Sequence, residues 1–417
     1  MIKEMASMKK DKLLKMWIII LLIAVIDMGL GTLMFHHSLN HITVRGDRNV
    51  AVNLCQIYED PGVDAYRAGL DVSDKVRIRG DVDTGTPGTY TVRYSVAGMT
   101  AERTVVVSDK MDPVLNLSGG SISMKLGGEF KEPGFEAYAS DGTDLTDEVK
   151  VDLTGLNEAG EREIIYTVYD DSGKGTRVTR EISVEPNTDY GAPGLPICMY
   201  HYVYDENNPP EDLQKRYGNY IKQSDLEEEL MWLKEEGYYF PTWEEVRKYA
   251  DGRLLLPEKS IVLTFDDAAY TFLEYGIPVL EKCQVPATSF MITSSGGKSK
   301  IAAYSSEYVT YESHSHNMHR GGGSIGHGGI FPAMSRADAL EDLRTSVEIC
   351  GNGDAFAYPY GDYTEACCEI VEAAGFLCAV TTEYGKAKPG MDPYKLPRVR
   401  MMNDQSMDDF KEMVSPR

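Results

Sequence analysis

Two neighbouring aspartates end a short apolar run, Ile261-Val262-Leu263-Thr264-Phe265-Asp266-Asp267, and further along the chain reads Ser313-His314-Ser315-His316-Asn317-Met318-His319. A β-branched and aromatic run that stops at two carboxylates predicts a strand with both acids at its C-terminal end, where α/β barrels keep their chemistry. Side chains alternate along a strand, so the two acids point in different directions and can take different jobs. One carboxylate with two histidines is a protein ligand set for catalytic Zn²⁺ that leaves a position open for water. The second carboxylate is then free to act as a base on that water. Taken singly, an Asp-Asp at a strand end is a solvated turn or helix cap, and a histidine cluster is incidental. Together, in this order and setting, they point to a hydrolase.

The elements that must position these residues occupy only part of the chain. Its 417 residues predict two or three domains. A net charge of −23 argues against nucleic acid or anionic lipid as the main partner. Met16 to Phe35 is mostly apolar and about the length of a bilayer-spanning helix. Lys3, Lys9, Lys10, Lys12 and Lys15 precede it, and no small-x-small cleavage site follows. The expectation is a cytoplasmic tail over 1–15, a transmembrane signal anchor over 16–35 and an extracellular remainder, with Asp27 a costly charge inside the span. The seven cysteines, an odd count, are not spaced as metal ligands and establish no disulfide framework.

Two stretches repeat. Glu59-Asp60-Pro61-Gly62-Val63-Asp64-Ala65-Tyr66 answers Lys131-Glu132-Pro133-Gly134-Phe135-Glu136-Ala137-Tyr138, and the alternating run from Gly88 to Val96 answers that from Gly160 to Val168. Period-2 runs divided by Gly, Pro and Asp turns predict two small all-β sandwiches, over 42–109 and 110–185. They read as spacers more than as glycan binders, since no aromatic platform stands out. Residues 186–196 have linker composition. From 197 to 417 the rhythm becomes strand and helix: strands at Ile197 to Val203, Ile261 to Phe265, Ala287 to Ile292, Ala355 to Tyr358 and Phe376 to Val380. Helices are expected from Ser224, as cap, to Glu236, around Leu273 to Lys282, from Arg336 to Cys350 and from Thr364 to Ala374. This alternation predicts a parallel sheet closed into a deformed (β/α) barrel, whole or partial.

Thr264-Phe265-Asp266-Asp267, the His-Ser motif at 314–319 and Tyr358-Pro359-Tyr360-Gly361 resemble the polysaccharide deacetylases with a NodB-type domain, carbohydrate esterase family four, over roughly 195–412. The two repeats resemble bacterial immunoglobulin-like domains of surface proteins. The first resemblance implies Asp266 as catalytic base and Asp267, His314 and His319 as ligands of Zn²⁺ or another divalent transition metal. The common family spacing would put the second histidine at position 318, which is Met318, so His314 with His319 is preferred over His316 with His319. The five-residue spacing and Met199-Tyr200-His201 are similar to the branch acting on exported poly-N-acetylglucosamine.

Three departures follow. No arginine precedes Pro359-Tyr360, so Arg398 of Leu396-Pro397-Arg398 is the candidate to orient Asp266. No histidine follows His327, which leaves His201 as the candidate general acid. Ala268 stands where glycine is usual. Tyr360 is expected to offer its backbone N–H to the oxyanion, and Trp243, Tyr311 and Tyr363 to stack on sugars or to be core. The implied partner is an acetylated surface polysaccharide, peptidoglycan or poly-N-acetylglucosamine, losing N-acetyl groups as acetate. The rivals are an O-acetyl esterase on another glycan and a non-catalytic surface glycan binder with a degenerate barrel. A glycosidase using Asp266 and Asp267 is disfavoured, because adjacent carboxyls do not flank a scissile bond.

Overall fold

The computed structural model describes residues 39–53, 57–108, 112–140, 142–171 and 173–416. The anchor expected over 16–35 lies outside them; among the described residues no helix is long and apolar enough to cross a membrane. Cys55 lies outside them too, and the other six cysteines are free thiols.

In the first repeat Asn49–Asn53 runs parallel to Met99–Ser108, which pairs antiparallel with Gly88–Val96. A second sheet holds His41–Val44, Val63–Arg67 and Leu70–Asp71. Val44 and Val63 of one sheet meet Val92 and Tyr94 of the other in a single cluster, as alternating strands of a sandwich require. The second repeat reuses the device: Ile122–Lys125 runs parallel to the end of Gly175–Glu185, and Phe135–Tyr138 pairs antiparallel with Val114–Leu117. The acid-Pro-Gly signature also gains a cause. Buried Arg103 pairs with Asp60, and buried Arg180 pairs with Glu132 at 3.4 Å.

The chain divides into two compact units, one ending at Ser118 with 135–150 and 166–178 added, the other made of 119–134, 151–165 and the chain from Thr179 onward. Residues 186–196 are tied into the second unit. Asn187 Oδ1 accepts from the Asp189 N–H within its own turn, its backbone N–H donates to the Gly252 carbonyl and its amide to that of Leu126, while Leu195 and Ala387 exchange backbone bonds.

The barrel is closed and all-parallel, with seven strands in chain order: β1 (Ile197–Tyr200), β2 (Val262–Phe265), β3 (Ala287–Met291), β4 (Val309–Ser313), β5 (Ala355–Ala357), β6 (Cys378–Tyr384) and β7 (Leu396–Arg400), which pairs back onto β1. Around it stand α1 (Gln223–Glu235), α2 (Trp243–Ala250), α3 (Ile277–Cys283), α4 (Gly297–Ala303), α5 (Arg336–Cys350), α6 (Glu365–Ala374) and α7 (Met407–Val414). Alternation sorts β2 between two layers. Leu263 and Phe265 pack with Leu226, Leu230 and Leu280 of the helices, whereas Val262 joins Phe290, Ala357 and Val380. Asp266 continues on the Val262 and Thr264 side.

Several boundaries differ from expectation. Helix α1 is capped at Lys222 and Ser224 lies within it. The helix expected from Leu273 opens as a π-turn, Phe272–Gly276, before α3. The strand expected to run from Ile197 to Val203 breaks at His201 into β1 and Tyr202–Tyr204.

One buried acid of α1 carries a pH dependence. Glu229 is 3 % exposed and accepts a 2.7 Å hydrogen bond from Tyr200 Oη; burial pushes its carboxyl up to about 8. A carboxyl raised in the folded state holds a proton the unfolded chain releases. Its contribution to stability is therefore full below the unfolded value near 4.5 and declines as pH rises towards 8. Glu229→Gln is expected to flatten that decline, and urea unfolding of both proteins at pH 5 and pH 8.5 checks it. Equal slopes would show that Glu229 is not the group titrating.

Candidate metal centre and active site

Strand β2 delivers Asp266 and Asp267 to the C-terminal rim, and the backbone then turns left-handed twice, at Asp267 (φ 72°) and Ala268 (φ 47°). Each such residue without glycine's freedom costs roughly 1–2 kcal/mol. The turn separates the two acids.

Asp266, 3 % exposed, receives both terminal nitrogens of Arg398 at 2.7 Å. Arg398 also donates to Thr264 Oγ1 (3.1 Å) and, through Nε, to the Thr381 carbonyl (2.8 Å). Burial alone would raise the Asp266 carboxyl; the guanidinium beside it overrides that and holds it well below the usual carboxylate range. The arginine absent before Pro359 is thus supplied from β7.

Asp267 faces the histidines. Its Oδ1 lies 3.7 Å from His314 Nε2 and 3.5 Å from His319 Nε2, and its Oδ2 accepts from Tyr202 Oη at 2.8 Å. Arg216 in turn donates to Tyr202 Oη. His314 follows β4 and its Nδ1 sits 2.7 Å from the Ala357 carbonyl, which can only accept. Nδ1 therefore carries the proton and Nε2 presents a lone pair to Asp267. A left-handed Ser315 (φ 71°) then folds the chain back, with Asp342 taking the N–H groups of His316 and Asn317 and Ser315 Oγ taking that of Met318. Met318 is wholly buried against Phe331 and Leu343, so position 318 belongs to the core and 319 returns to the rim. That is the physical reason for the five-residue spacing. Burial, with His314 beside it, pushes the His319 imidazole down to about 4, so its ring is neutral at ordinary pH.

Among the described residues, Asp267, His314 and His319 are the one group of three or more such side chains able to hold a metal ion. Two Nε2 atoms and a carboxylate oxygen around a tetrahedral ion with bonds of about 2.0–2.1 Å would stand about 3.3 Å apart. The observed 3.5 and 3.7 Å, and the fixed His314 tautomer, fit such an ion.

His316 is not in the group; its Nδ1 meets Thr293 Oγ1 at 3.0 Å. Tyr360, left-handed at φ 62°, lays its ring on His319 with centroids 4.4 Å apart. His201 is partly buried beside Tyr202; burial lowers its imidazole while Asp266 and Asp267 raise it. Two of the three suggested sugar platforms are excluded. Trp243 is buried at the start of α2 with Nε1 donating to Thr288, and Tyr311 is buried with Oη on the Tyr304 carbonyl. Tyr363 stacks on Tyr358 and donates to Glu383.

With this geometry in place, comparison with known proteins places the chain. Residues 255–379 match the family profile described as polysaccharide deacetylase, and residues 42–107 and 115–184 each match that of the bacterial surface protein Ig-like domain. Residues 255–379 thus form a polysaccharide deacetylase domain. The poly-β-1,6-N-acetyl-D-glucosamine N-deacetylase of Staphylococcus epidermidis is 27% identical over 217 residues, covering 48% of this chain and 74% of the relative. That of Staphylococcus aureus strain MRSA252 is 27% identical over 209 residues, covering 46% and 71%. A Streptococcus pyogenes deacetylase, PplD, solved with acetate, is 22% identical with a TM-score of 0.47, covering 54% of this chain and 99% of that one. IcaB from Ammonifex degensii is 24% identical with a TM-score of 0.44, covering 54% and 98%.

The deacetylase domain also uses residues that sequence reasoning did not single out. Thr381, Asp342, Tyr202 and Arg216 support the site, and none stands in a pattern that marks it. Helix α2 did carry a signal: Thr242-Trp243-Glu244-Glu245 is a capping box, and both of its hydrogen bonds form.

Proposed function

We propose that this deacetylase hydrolyses the acetamido group of N-acetylglucosamine units in a surface polysaccharide, releasing acetate and leaving a free amine on the sugar. The observation that carries the reading is an acid clamped by arginine beside a separate His-His-Asp group on the same rim. The two staphylococcal relatives are named for poly-β-1,6-N-acetyl-D-glucosamine, which favours that polymer over peptidoglycan. The reading includes an extracellular enzyme, held to the membrane by residues 16–35, on the strength of their basic-then-apolar sequence.

Asp267, His314 and His319 would hold a divalent ion, and their two imidazoles and one carboxylate suit zinc. Such an ion, when bound, supplies an acidified water and polarises the acetyl carbonyl. Asp266, kept ionised below the usual carboxylate range by Arg398, is a weak base, and an acidified water suits it. Arg398 keeps it ionised and fixes its plane. Water oxygen bonds to the acetyl carbon as Asp266 accepts the proton, and the backbone N–H of Tyr360 donates to the oxyanion. The C–N bond then breaks as His201 gives a proton to the sugar nitrogen. Burial lowers this imidazole, and the neighbouring Asp266 and Asp267 act against that to favour the protonated form the step needs.

The test is acetate release from β-1,6- and β-1,4-linked N-acetylglucosamine oligomers, peptidoglycan and acetylated xylan by metal-stripped protein before and after Zn²⁺ is restored. Release from the β-1,6 oligomer that returns with Zn²⁺, and falls about 10²–10⁴-fold in Asp266→Asn, is the expected result. Tight Zn²⁺ binding with no release from any amide substrate would overturn the reading in favour of an esterase or a glycan binder.

A further inference from the structure

Lys300 is 5 % exposed, and its ammonium has one hydrogen-bond acceptor among the described residues, the carbonyl of Ala268 at 2.8 Å. Its remaining contact is the face of Tyr270, whose ring centroid lies 5.0 Å from Nζ. Neither contact is a carboxylate, and the one carboxylate whose charge favours the ammonium, Asp267, makes no direct ion pair with it among the described residues. A buried ammonium without a contacting counter-ion is a costly choice where a neutral side chain would pack. The fold goes to some length to make it. Helix α4, which carries Lys300, lies so close to β3 and α5 that a Cβ on Gly297 would come within 2.9 Å of Ile349 and 3.3 Å of the Met291 sulfur.

The acceptor gives the placement its meaning. Ala268 is the second residue of the left-handed pair, at the position next to Asp267, and its methyl is wholly buried. Asp267 is of a residue type that enters this region more readily than most, but the Ala268 methyl carries the penalty that glycine would avoid. The turn decides whether Asp267 faces the histidines or continues on the Leu263 and Phe265 side of β2. We propose that Lys300 is a positioning residue for the metal centre: its charge-assisted hydrogen bond to the Ala268 carbonyl locks the left-handed turn and so aims Asp267 at His314 and His319. This rests on the metal-dependent reading above and adds a residue to it.

A buttress and a mere charge predict opposite signs. As a charge alone, the ammonium repels an incoming cation, and removing it tightens metal binding. As a buttress, its loss frees the turn and weakens binding, by the 10–100-fold that loss of an outer partner of a ligand typically costs. The experiment is competition titration of Zn²⁺ into full-length wild type, Lys300→Met and Lys300→Met/Ala268→Gly, with thermal unfolding of each metal-free protein alongside. The expected result is 10–100-fold weaker Zn²⁺ binding in Lys300→Met, at an unfolding midpoint equal to or above wild type. Part of the affinity returns in the double variant, because glycine needs no lock. Affinity that is unchanged or tighter in Lys300→Met overturns the proposal. If Lys300→Met does not fold, Lys300→Gln is read by the same criteria. Wild type that takes up no Zn²⁺ overturns the metal site itself, which is a different outcome from a wild type that binds and a variant that matches it.

Discussion

An Arg398→Met variant is expected to lose acetate release by about a thousandfold while still binding metal. Among the described residues, the four hydrogen bonds of Arg398 go to Asp266, Thr264 and Thr381, and none to Asp267, His314 or His319. Without it, Asp266 is a buried carboxylate with no counter-charge, and burial then raises its pKa instead of being overridden. A protonated Asp266 has no capacity to take a proton from water. The same change costs stability, about 3–5 kcal/mol for a buried pair broken from one side. The pH dependence reverses with it. In wild type the depressed Asp266 contributes stability above the unfolded carboxylate range and loses it only on strong acidification. In Arg398→Met the carboxyl is raised, so the protein gains stability as pH falls from 8 to 5. Arg398→Met/Asp266→Asn removes the stranded charge and recovers most of the loss. Urea unfolding at both pH values, with Zn²⁺ titration of each variant, checks the whole pattern. A fully active Arg398→Met, or one that loses metal and activity together, would remove Arg398 from its place behind the base.

The second large effect separates the three histidines of one short segment. His314→Ala and His319→Ala are each expected to weaken Zn²⁺ binding by more than the 10–100-fold that loss of an outer partner brings. His316→Ala should stay within a few-fold of wild type. The asymmetry follows from where the rings point: His314 and His319 approach the same Asp267 oxygen, while His316 is turned to Thr293 and held through its N–H by Asp342. Calorimetric titration of metal-stripped proteins reads it directly. A His316→Ala variant as impaired as His319→Ala would mean that the segment rearranges around the ion.

The outline of the barrel was legible wherever a strand or helix obeyed its own period. Arg336–Cys350 is recognisable from its Ser335 cap and closing glycine, and Ala287–Met291 from its turn signals. Strand β4 was not, because Val309-Thr310-Tyr311-Glu312-Ser313 puts a glutamate in a buried run, and burial has to push that carboxyl up to about 8 to keep it there. Strand β7 hides behind Pro397, which argues against a central strand. The fold accommodates it where the pairing of β6 with β7 is irregular, between Val380 and Tyr384. At the site, residue types and spacing picked out the acids and histidines, since that chemistry needs those groups. Lys300 had no such signature: in Gly296-Gly297-Lys298-Ser299-Lys300 it reads as one more solvated lysine, and only the packing of α4 buries it.

The Asp266–Arg398 pair joins residues 132 positions apart in the chain, across β2 and the strand that closes the barrel on β1. Contacts of that separation are the slow ones to form. A folding chain whose β7 has not docked therefore holds both aspartates and both histidines but a base still open to solvent and unclamped. A molecule whose barrel is not sealed by β7 lacks the guanidinium that clamps Asp266, so the site is complete only when the barrel is.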